Sequence, residues 1–350
     1  MKGNGGSRSR RERARATLSD VAKAAGVSVM TVSNFVHAKP VRQRTRKLVE
    51  AAIARLNYRP NVSARSLRLS QESSVGIVIA DGDPEYLNDP FTSRLVSGLS
   101  NYLSSLDYTL DVQGVAPERF GSATILNKVG NEALCAVLCG PKELRKEHFA
   151  YLHRLGQPIV VFREVFRPLG PNMAVVGQDD LSGGRQLARH LLESRPRSVA
   201  FVRPALDWNA VEQREKGLRS VLEAASPPVQ VRTLTSPSER FEDVQQVVRD
   251  LLVEKAPDAI AAATDSMAAA ALKACESVGL RVPGDIRLTG FNGFDVSKHT
   301  SPTLTTVLSP AYELGRVAGE QIIRRLKTGK FARRSIVLPV SLEVGGSTGS

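Results

Sequence analysis

The chain has 350 residues, is 42% hydrophobic and 24% charged, and carries a formal net charge of +13. That length allows two or three domains with a large core, while no apolar run reaches the roughly 18 residues of a membrane-spanning helix and the N-terminus lacks the apolar segment of a secretory signal. The three thiols, Cys135, Cys139 and Cys275, form no disulfide framework and fit a reducing cytoplasm.

The charge is not spread evenly. Residues 1–70 hold 16 Lys/Arg against 3 Asp/Glu, and the remaining 280 hold 32 of each. Residues 1–16 are Gly-, Ser- and Arg-rich and are expected to form a disordered basic arm. Leu18, Val21, Ala22 and Ala25 then repeat at helical spacing, with Ser19 or Asp20 as cap. Gly26 turns the chain. Ser28 caps a second short helix whose Val32, Phe35 and Val36 face inward and whose Met30, Thr31, Ser33, Asn34 and His37 face outward. A third helix over 45–56 carries the stripe Leu48, Val49, Ala52, Ile53 and Leu56. Helix, Gly turn and helix read either as an ordinary helical subdomain or as a helix-turn-helix that enters the major groove. Arg42, Arg44, Arg46, Lys47, Arg55, Arg59, Arg65 and Arg68 are interleaved with this structure, which phosphate neutralisation explains and a solvated tail does not. Pro60 ends the third helix. Residues 61–67 are too short to hold a helix alone in water and need a partner, either a second subunit or DNA.

From residue 74 the pattern changes to short apolar runs alternating with helices. SVGIVIAD, TLDVQGV, ALCAVLCG, PIVVFRE, MAVVGQDD, SVAFVRP, QVRTLT, AIAAAT and IRLTGFNG read as strands. Helices are expected over 91–106, 183–192, 212–225, 244–254 and 266–278. Continuous Val/Ile/Ala strands between helices imply parallel sheets covered on both faces, with enough strands for two sheets. Cys135 and Cys139 lie in such a run, so they read as buried strand residues and not as metal ligands.

TLSDVAKAAGVSVMTVSNFVH followed by LNYRPNVSARSLR resembles the LacI/GalR family of bacterial transcription regulators, and the resemblance continues more weakly to the C-terminus. It implies an N-terminal all-α helix-turn-helix head on an α/β two-lobed, periplasmic-binding-protein-like core. The expected parts are the arm 1–16, the head 17–60, a hinge and linker 61–73, and the core 74–345. Within the core, a near lobe would span about 74–174 and 308–332, and a far lobe about 175–307 and 333–345. By the same resemblance Ser28, Val29, Met30, Thr31, Ser33 and Asn34, with His37 and Thr17, contact DNA; many members carry Arg where this chain has Asn34. Leu67 would pry open a base step from the minor groove, with Asn61, Ser63 and Ala64 close to it. A homodimer on a pseudopalindromic operator follows, since the chain ends in GGSTGS with no heptad tail.

The family's cleft positions fall here on Phe91, Arg163, Arg214, Phe241, Asp265 and Asn292. Two departures stand out: the usual strand-end Asp-Arg reads Arg163-Glu164, and a usual Asp is Asn292. They make the cleft more positive and point to an acidic effector such as a sugar acid, a phosphorylated sugar or another organic acid, unless Arg163 and Glu164 pair with each other or face solvent. No catalytic constellation, phosphate loop, metal spacing or cofactor motif is present, so no enzyme, metal or cofactor is expected. The expected function is a cytoplasmic, nucleoid-associated transcriptional repressor with a small-molecule effector between the lobes, a sugar or an acidic sugar or organic acid, and no membrane partner. An activator or a plain small-molecule-binding protein of the same fold is the alternative.

Overall fold

A computed structural model describes residues 17–36, 40–56, 74–81, 86–128, 131–164 and 166–349. The chain forms two compact units, Met1–Ser70 and Gln71–Ser350. The expectations for residues 1–16, for His37 and for Asn61, Ser63, Ala64 and Leu67 lie outside the described residues.

The first unit holds α1 (Leu18–Ala25), α2 (Val29–Val36) and α3 (Gln43–Arg55). Val21, Ala22, Ala25, Val32, Val49 and Ala52 form its core, with Leu18, Phe35, Ile53 and Leu56 packed around it. Two sequence expectations are corrected. Leu48 is 49% exposed and lies off the stripe. The cap of α1 is Thr17, not Ser19 or Asp20: its hydroxyl accepts from Asp20 N at 3.2 Å while Asp20 Oδ2 accepts from Thr17 N at 2.8 Å, a reciprocal box.

The second unit alternates strands and helices: β1 (Ser74–Ala80), α4 (Pro90–Ser104), β2 (Thr109–Val115), β3 (Asn131–Leu138), α5 (Lys142–Arg154), β4 (Ile159–Phe162) and β5 (Met173–Gln178). Then come α6 (Asp180–Leu192), β6 (Ser198–Pro204), α7 (Asn209–Leu222), β7 (Gln230–Ser236), α8 (Phe241–Lys255), β8 (Ala259–Ala262), α9 (Asp265–Ser277) and β9 (Arg287–Thr289). The chain closes with α10 (Asp295–His299), β10 (Thr306–Leu308), α11 (Ala311–Thr328), β11 (Ser335–Leu338) and β12 (Ser341–Glu343). One parallel sheet runs β11-β5-β4-β3-β1-β2 and a second runs β7-β6-β8-β9, with β10 and β12 paired antiparallel. The first sheet builds the near lobe, with core on both faces, and the second builds the far lobe.

The chain passes between lobes after β5, β10 and β11. The expected boundaries near 174 and 333 are therefore displaced: all of β4 pairs with β5, and all of β11 pairs with β5, so both strands belong whole to the near lobe. The sequence reading also passed over α5 and α11. The inner face of α5 carries Arg145 and His148, and that of α11 carries Gly315, Ala318 and Gly319, so neither presents a plain apolar stripe. No described helix is long and apolar enough to cross a membrane. The three cysteines are buried free thiols, and burial pushes Cys275 up to about 11.

Each lobe contains one helix pair brought together by reciprocal glycines. A Cβ on Gly98 of α4 would lie 1.9 Å from the Tyr312 carbonyl oxygen, and one on Gly315 of α11 would lie 1.9 Å from that of Leu95. In the far lobe, a Cβ on Gly184 of α6 would lie 2.1 Å from the Arg214 carbonyl oxygen, and one on Gly217 of α7 would lie 2.2 Å from that of Leu181. The obstacle is backbone in every case, so a side chain forces the helices apart. Gly98→Ala and Gly217→Ala are each expected to destabilise the core by at least about 1–3 kcal/mol, read as a lowered denaturation midpoint; unchanged midpoints would contradict this packing.

Candidate DNA-reading head and effector cleft

On the head, Gly26 has φ 65° and its N–H bonds back to Ala22 and Lys23, so α1 stops in a left-handed turn. Ser28 starts α2: its hydroxyl accepts from Thr31 N at 3.1 Å and lies 2.8 Å from Thr31 Oγ1. Val32 is then locked in the core, and the same turn leaves Val29 48% and Met30 70% exposed. Thr31, Ser33 and Asn34 are half-buried on that side. Arg42, Arg44, Arg46, Lys47 and Arg55 are exposed, and Arg46 lies over the Phe35 ring at 5.9 Å. The head therefore joins a helix start with bare apolar side chains to a set of exposed cations. Thr17 is exposed, but its hydroxyl donates to Asp20 at 2.7 Å, and these hydrogen bonds hold the Asp20 carboxyl below the usual range.

In the core, Arg214 of α7 is buried, and its Nε donates to Asp180 Oδ1 at 2.8 Å, Nη1 to the Ala263 carbonyl at 2.6 Å and Nη2 to Asn292 Oδ1 at 3.2 Å. The Phe291 ring covers its guanidinium at 3.8 Å. These bonds engage three of its five N–H groups. Asp180 in turn accepts from Gln178 Nε2 at 2.8 Å, and Gln178 Oε1 accepts from Ser309 Oγ at 2.5 Å. This chain of bonds runs through two of the three crossings between lobes. Asn292 has φ 112° and Arg163 φ 60°, two non-glycine residues in left-handed backbone.

Arg163 lies over the ring of buried Phe91 at 4.3 Å, and its carbonyl accepts from Asn209 Nδ2 of the far lobe at 2.5 Å. Asp89 caps the helix on which Phe91 sits. Glu164 does not pair with Arg163. It meets buried Arg145 at 2.6 Å, and Arg145 also reaches Glu212 of the far lobe at 3.2 Å. Burial pushes the Glu164 carboxyl up against the pull of Arg145. Asp265 holds the turn beyond β9: its Oδ2 accepts from Phe294 N at 3.0 Å and its Oδ1 from Thr306 Oγ1 at 2.5 Å. That makes Asp265 a brace for the crossing strand. Phe241 is the first residue of α8 and is 42% exposed.

Two residues the sequence reading missed stand out. Glu239, just before α8, has a buried Oε1 with no hydrogen-bond partner. Burial, aided by Asp89 and Asp81 and opposed by Arg214 and Arg163, pushes its carboxyl up to about 8. Trp208, at the start of α7, packs against the cores of both lobes and has a buried, unpartnered Nε1. Both follow strand ends, where open α/β sheets bind ligands, and that was the only sequence signal for them. Arg163, Arg214, Asp81 and Asp89 all lie within electrostatic reach of Glu239.

Residues 17–61 match the family described as bacterial regulatory proteins, lacI family, and residues 188–348 match the periplasmic binding protein-like domain. The chain belongs to the LacI family. It is 29% identical to the ribose operon repressor of Halalkalibacterium halodurans over 335 residues, 95% of this chain and 97% of that one. It is also 29% identical to the transcriptional regulator CelR of Thermobifida fusca over 324 residues, 90% of this chain and 93% of that one. A solved CelR–cellobiose complex superposes with a TM-score of 0.68 at 26% identity, covering 95% of this chain and all of that one. The lac repressor dimer bound to operator and an anti-inducer shares the fold, with a TM-score of 0.79 at 24% identity over 96% of this chain and 99% of that one. This LacI-family chain is a DNA-binding transcriptional regulator.

The Glu239 carboxyl, near 8 against an ordinary 4.5, binds a proton more tightly folded than unfolded. Its contribution is therefore full below the unfolded value and is lost as pH rises towards about 8. Glu239→Gln should flatten the decline in unfolding midpoint between those two values, measured by calorimetry across pH. Parallel pH profiles for both proteins would refute the assignment.

Proposed function

We propose that the protein is a cytoplasmic repressor that binds a pseudopalindromic operator as a homodimer and responds to a small molecule held between its two lobes. In this reading residues 17–60 are the head, 61–73 the hinge and 74–345 the effector core. Ser28, Val29, Met30, Thr31, Ser33 and Asn34, flanked by Thr17 and His37, meet the major groove. Asn61 and Ala64 line the minor groove and Leu67 is the wedge. The observation that carries the DNA reading is Met30, 70% exposed on a helix whose other face is the head's core. An apolar side chain at a helix start suits a thymine methyl, and Asn34 suits an adenine edge.

The effector reading rests on the unpartnered Glu239 Oε1 and Trp208 Nε1, with Phe91, Arg163, Arg214, Phe241, Asp265 and Asn292 around or bracing the cleft. A protonated carboxyl both donates and accepts, and an indole N–H donates, which suits sugar hydroxyls. That set of donors and acceptors favours a neutral polyhydroxylated effector over an acidic one. The ribose operon repressor and the CelR–cellobiose complex among the relatives point the same way. Ligand shifts the population of lobe arrangements, and the crossings pass that shift towards the hinge.

Two outcomes are expected. Met30→Ala and Asn34→Ala should each lose about 1–3 kcal/mol of discrimination for the operator half-site, measured as Kd against matched and mutated DNA selected from a random pool. An equal loss on all sequences would remove these residues from base reading. Trp208 is the chain's single tryptophan, so its fluorescence should change on titration with a neutral sugar and not with a sugar acid. The reverse pattern would restore the acidic effector.

A further inference from the structure

The neutrality of residues 71–350 conceals a polarised surface. Residues 321–342 hold six Lys/Arg and no Asp/Glu, so the rest of the core carries a net charge of −6. Arg324, Arg325 and Lys327 end α11, and Lys330, Arg333 and Arg334 lie between it and β11. All but half-buried Arg325 are exposed. Arg325 and Arg334 are held in place: Arg325 Nη2 donates to Asn172 Oδ1 at 2.6 Å, and Arg334 donates to the carbonyls of Leu169, Gly170 and Met173. Arg324, Lys327, Lys330 and Arg333 have no ion pair among the described residues. Exposed Arg167 lines one open groove with Arg334, and exposed Arg154 ends α5 at the same side of the lobe.

The position of this patch in the fold gives it meaning. The strands of the near-lobe sheet are parallel and in register, so Ser74, Asn131, Ile159, Met173 and Ser335 mark one edge. The cations gather at the β5–β11 side of that edge. The carboxylates Asp107 and Glu132 belong to its β2–β3 side. The cleft residues follow the opposite, carboxyl ends of the strands. The edge with the cations is also the one where β1 begins, which is where the polypeptide arrives from the head. The helix dipole of α11 accounts for Arg325 and Lys327 in its last turn. It does not reach Lys330, Arg333 or Arg334. Clustered like charges with no counter-charge repel one another, and a polyanion relieves that repulsion.

We propose that this edge of the core is a second phosphate-binding surface, which grips the backbone of double-stranded DNA and adds sequence-independent affinity to that of the head. The proposal rests on operator binding by the head. Arg324, Lys327, Lys330 and Arg333 neutralise phosphates directly, and Arg325 and Arg334 anchor the segment that presents them.

The test compares the full chain with the variant R324Q/K327Q/K330Q/R333Q and with a far-lobe control, R189Q/R195Q/R249Q/K255Q, which removes the same charge from exposed positions of the other lobe. Kd is measured against salt on an operator selected from a random pool and carrying long flanks. Each lost phosphate contact lowers the slope of log K against log salt by about 0.9. The near-edge variant is expected to lose about 2 or more in slope, to keep its preference for the operator over scrambled DNA, and to keep the unfolding midpoint and Trp208 fluorescence of the parent. The control should match the parent slope. Equal slopes for the parent and the near-edge variant, or equal losses in both variants, would overturn the proposal while leaving operator binding by the head intact. A parent chain that prefers no palindrome at all would instead defeat the operator reading itself.

Discussion

The buried pair between Arg214 and Asp180 is the interaction on which the core's working arrangement depends. A guanidinium at 3% exposure is costly to bury unless its charge and its N–H groups are met. Here Asp180 meets the charge, while Ala263 and Asn292 take further donors. Because Asp180 opens the helix that follows the first crossing, and Asn292 lies beside the strand that leads to the second, one side chain ties the effector side of the far lobe to both connections. Substituting Arg214 would therefore leave Asp180 buried without its cation.

The lobes themselves are stiff for a separate reason. The pairs Gly98–Gly315 and Gly184–Gly217 let helix backbones touch, so each lobe has one close helix pair that cannot slide without a steric penalty. Arg163 after β4 and Asn292 after β9 adopt left-handed backbone, which stores strain at these two strand ends. Rigid bodies joined by a few connecting residues move as a hinge and not as a continuously deforming mass.

The head was largely legible in the sequence, and the cleft only partly. Helical spacing at Val21, Ala22, Ala25 and Val32 is a local signal, and so is a glycine between two caps. Errors there were local too: Thr17 displaced Ser19 as cap because the reciprocal bond with Asp20 satisfies two donors at once, and Leu48 was assigned to a stripe that it just misses. The helices α5 and α11 escape the pattern because buried Arg145, His148, Gln321 and glycines interrupt their otherwise apolar inner faces. Glu239, Trp208 and the Arg145–Glu212 contact are long-range consequences of how strand ends converge, and no spacing in the chain announces them. The acidic-effector expectation counted Arg163 and the missing carboxylates along the chain, whereas Glu239, which comes within electrostatic reach of Arg163 and Arg214, is far from both in sequence.

The Arg145 cluster bears on how easily the lobes part. Arg145 and Glu164 are both nearly unexposed and belong to one lobe, so they stay together whatever the lobes do. Glu212, 29% exposed, reaches the same guanidinium from the other lobe. Opening would separate only this outer carboxylate, and it would do so without leaving Arg145 unpaired, because Glu164 remains. Partly exposed ion pairs contribute on the order of 1 kcal/mol or less, whereas breaking a fully buried pair costs about 3–5 kcal/mol. The division of one cation between an inner and an outer carboxylate therefore keeps this one tie between the lobes weak. A weak tie suits a regulator, since a ligand can shift an equilibrium only by its difference in affinity for the two arrangements, and a gap of a few kcal/mol lies within reach of a small molecule's hydrogen bonds.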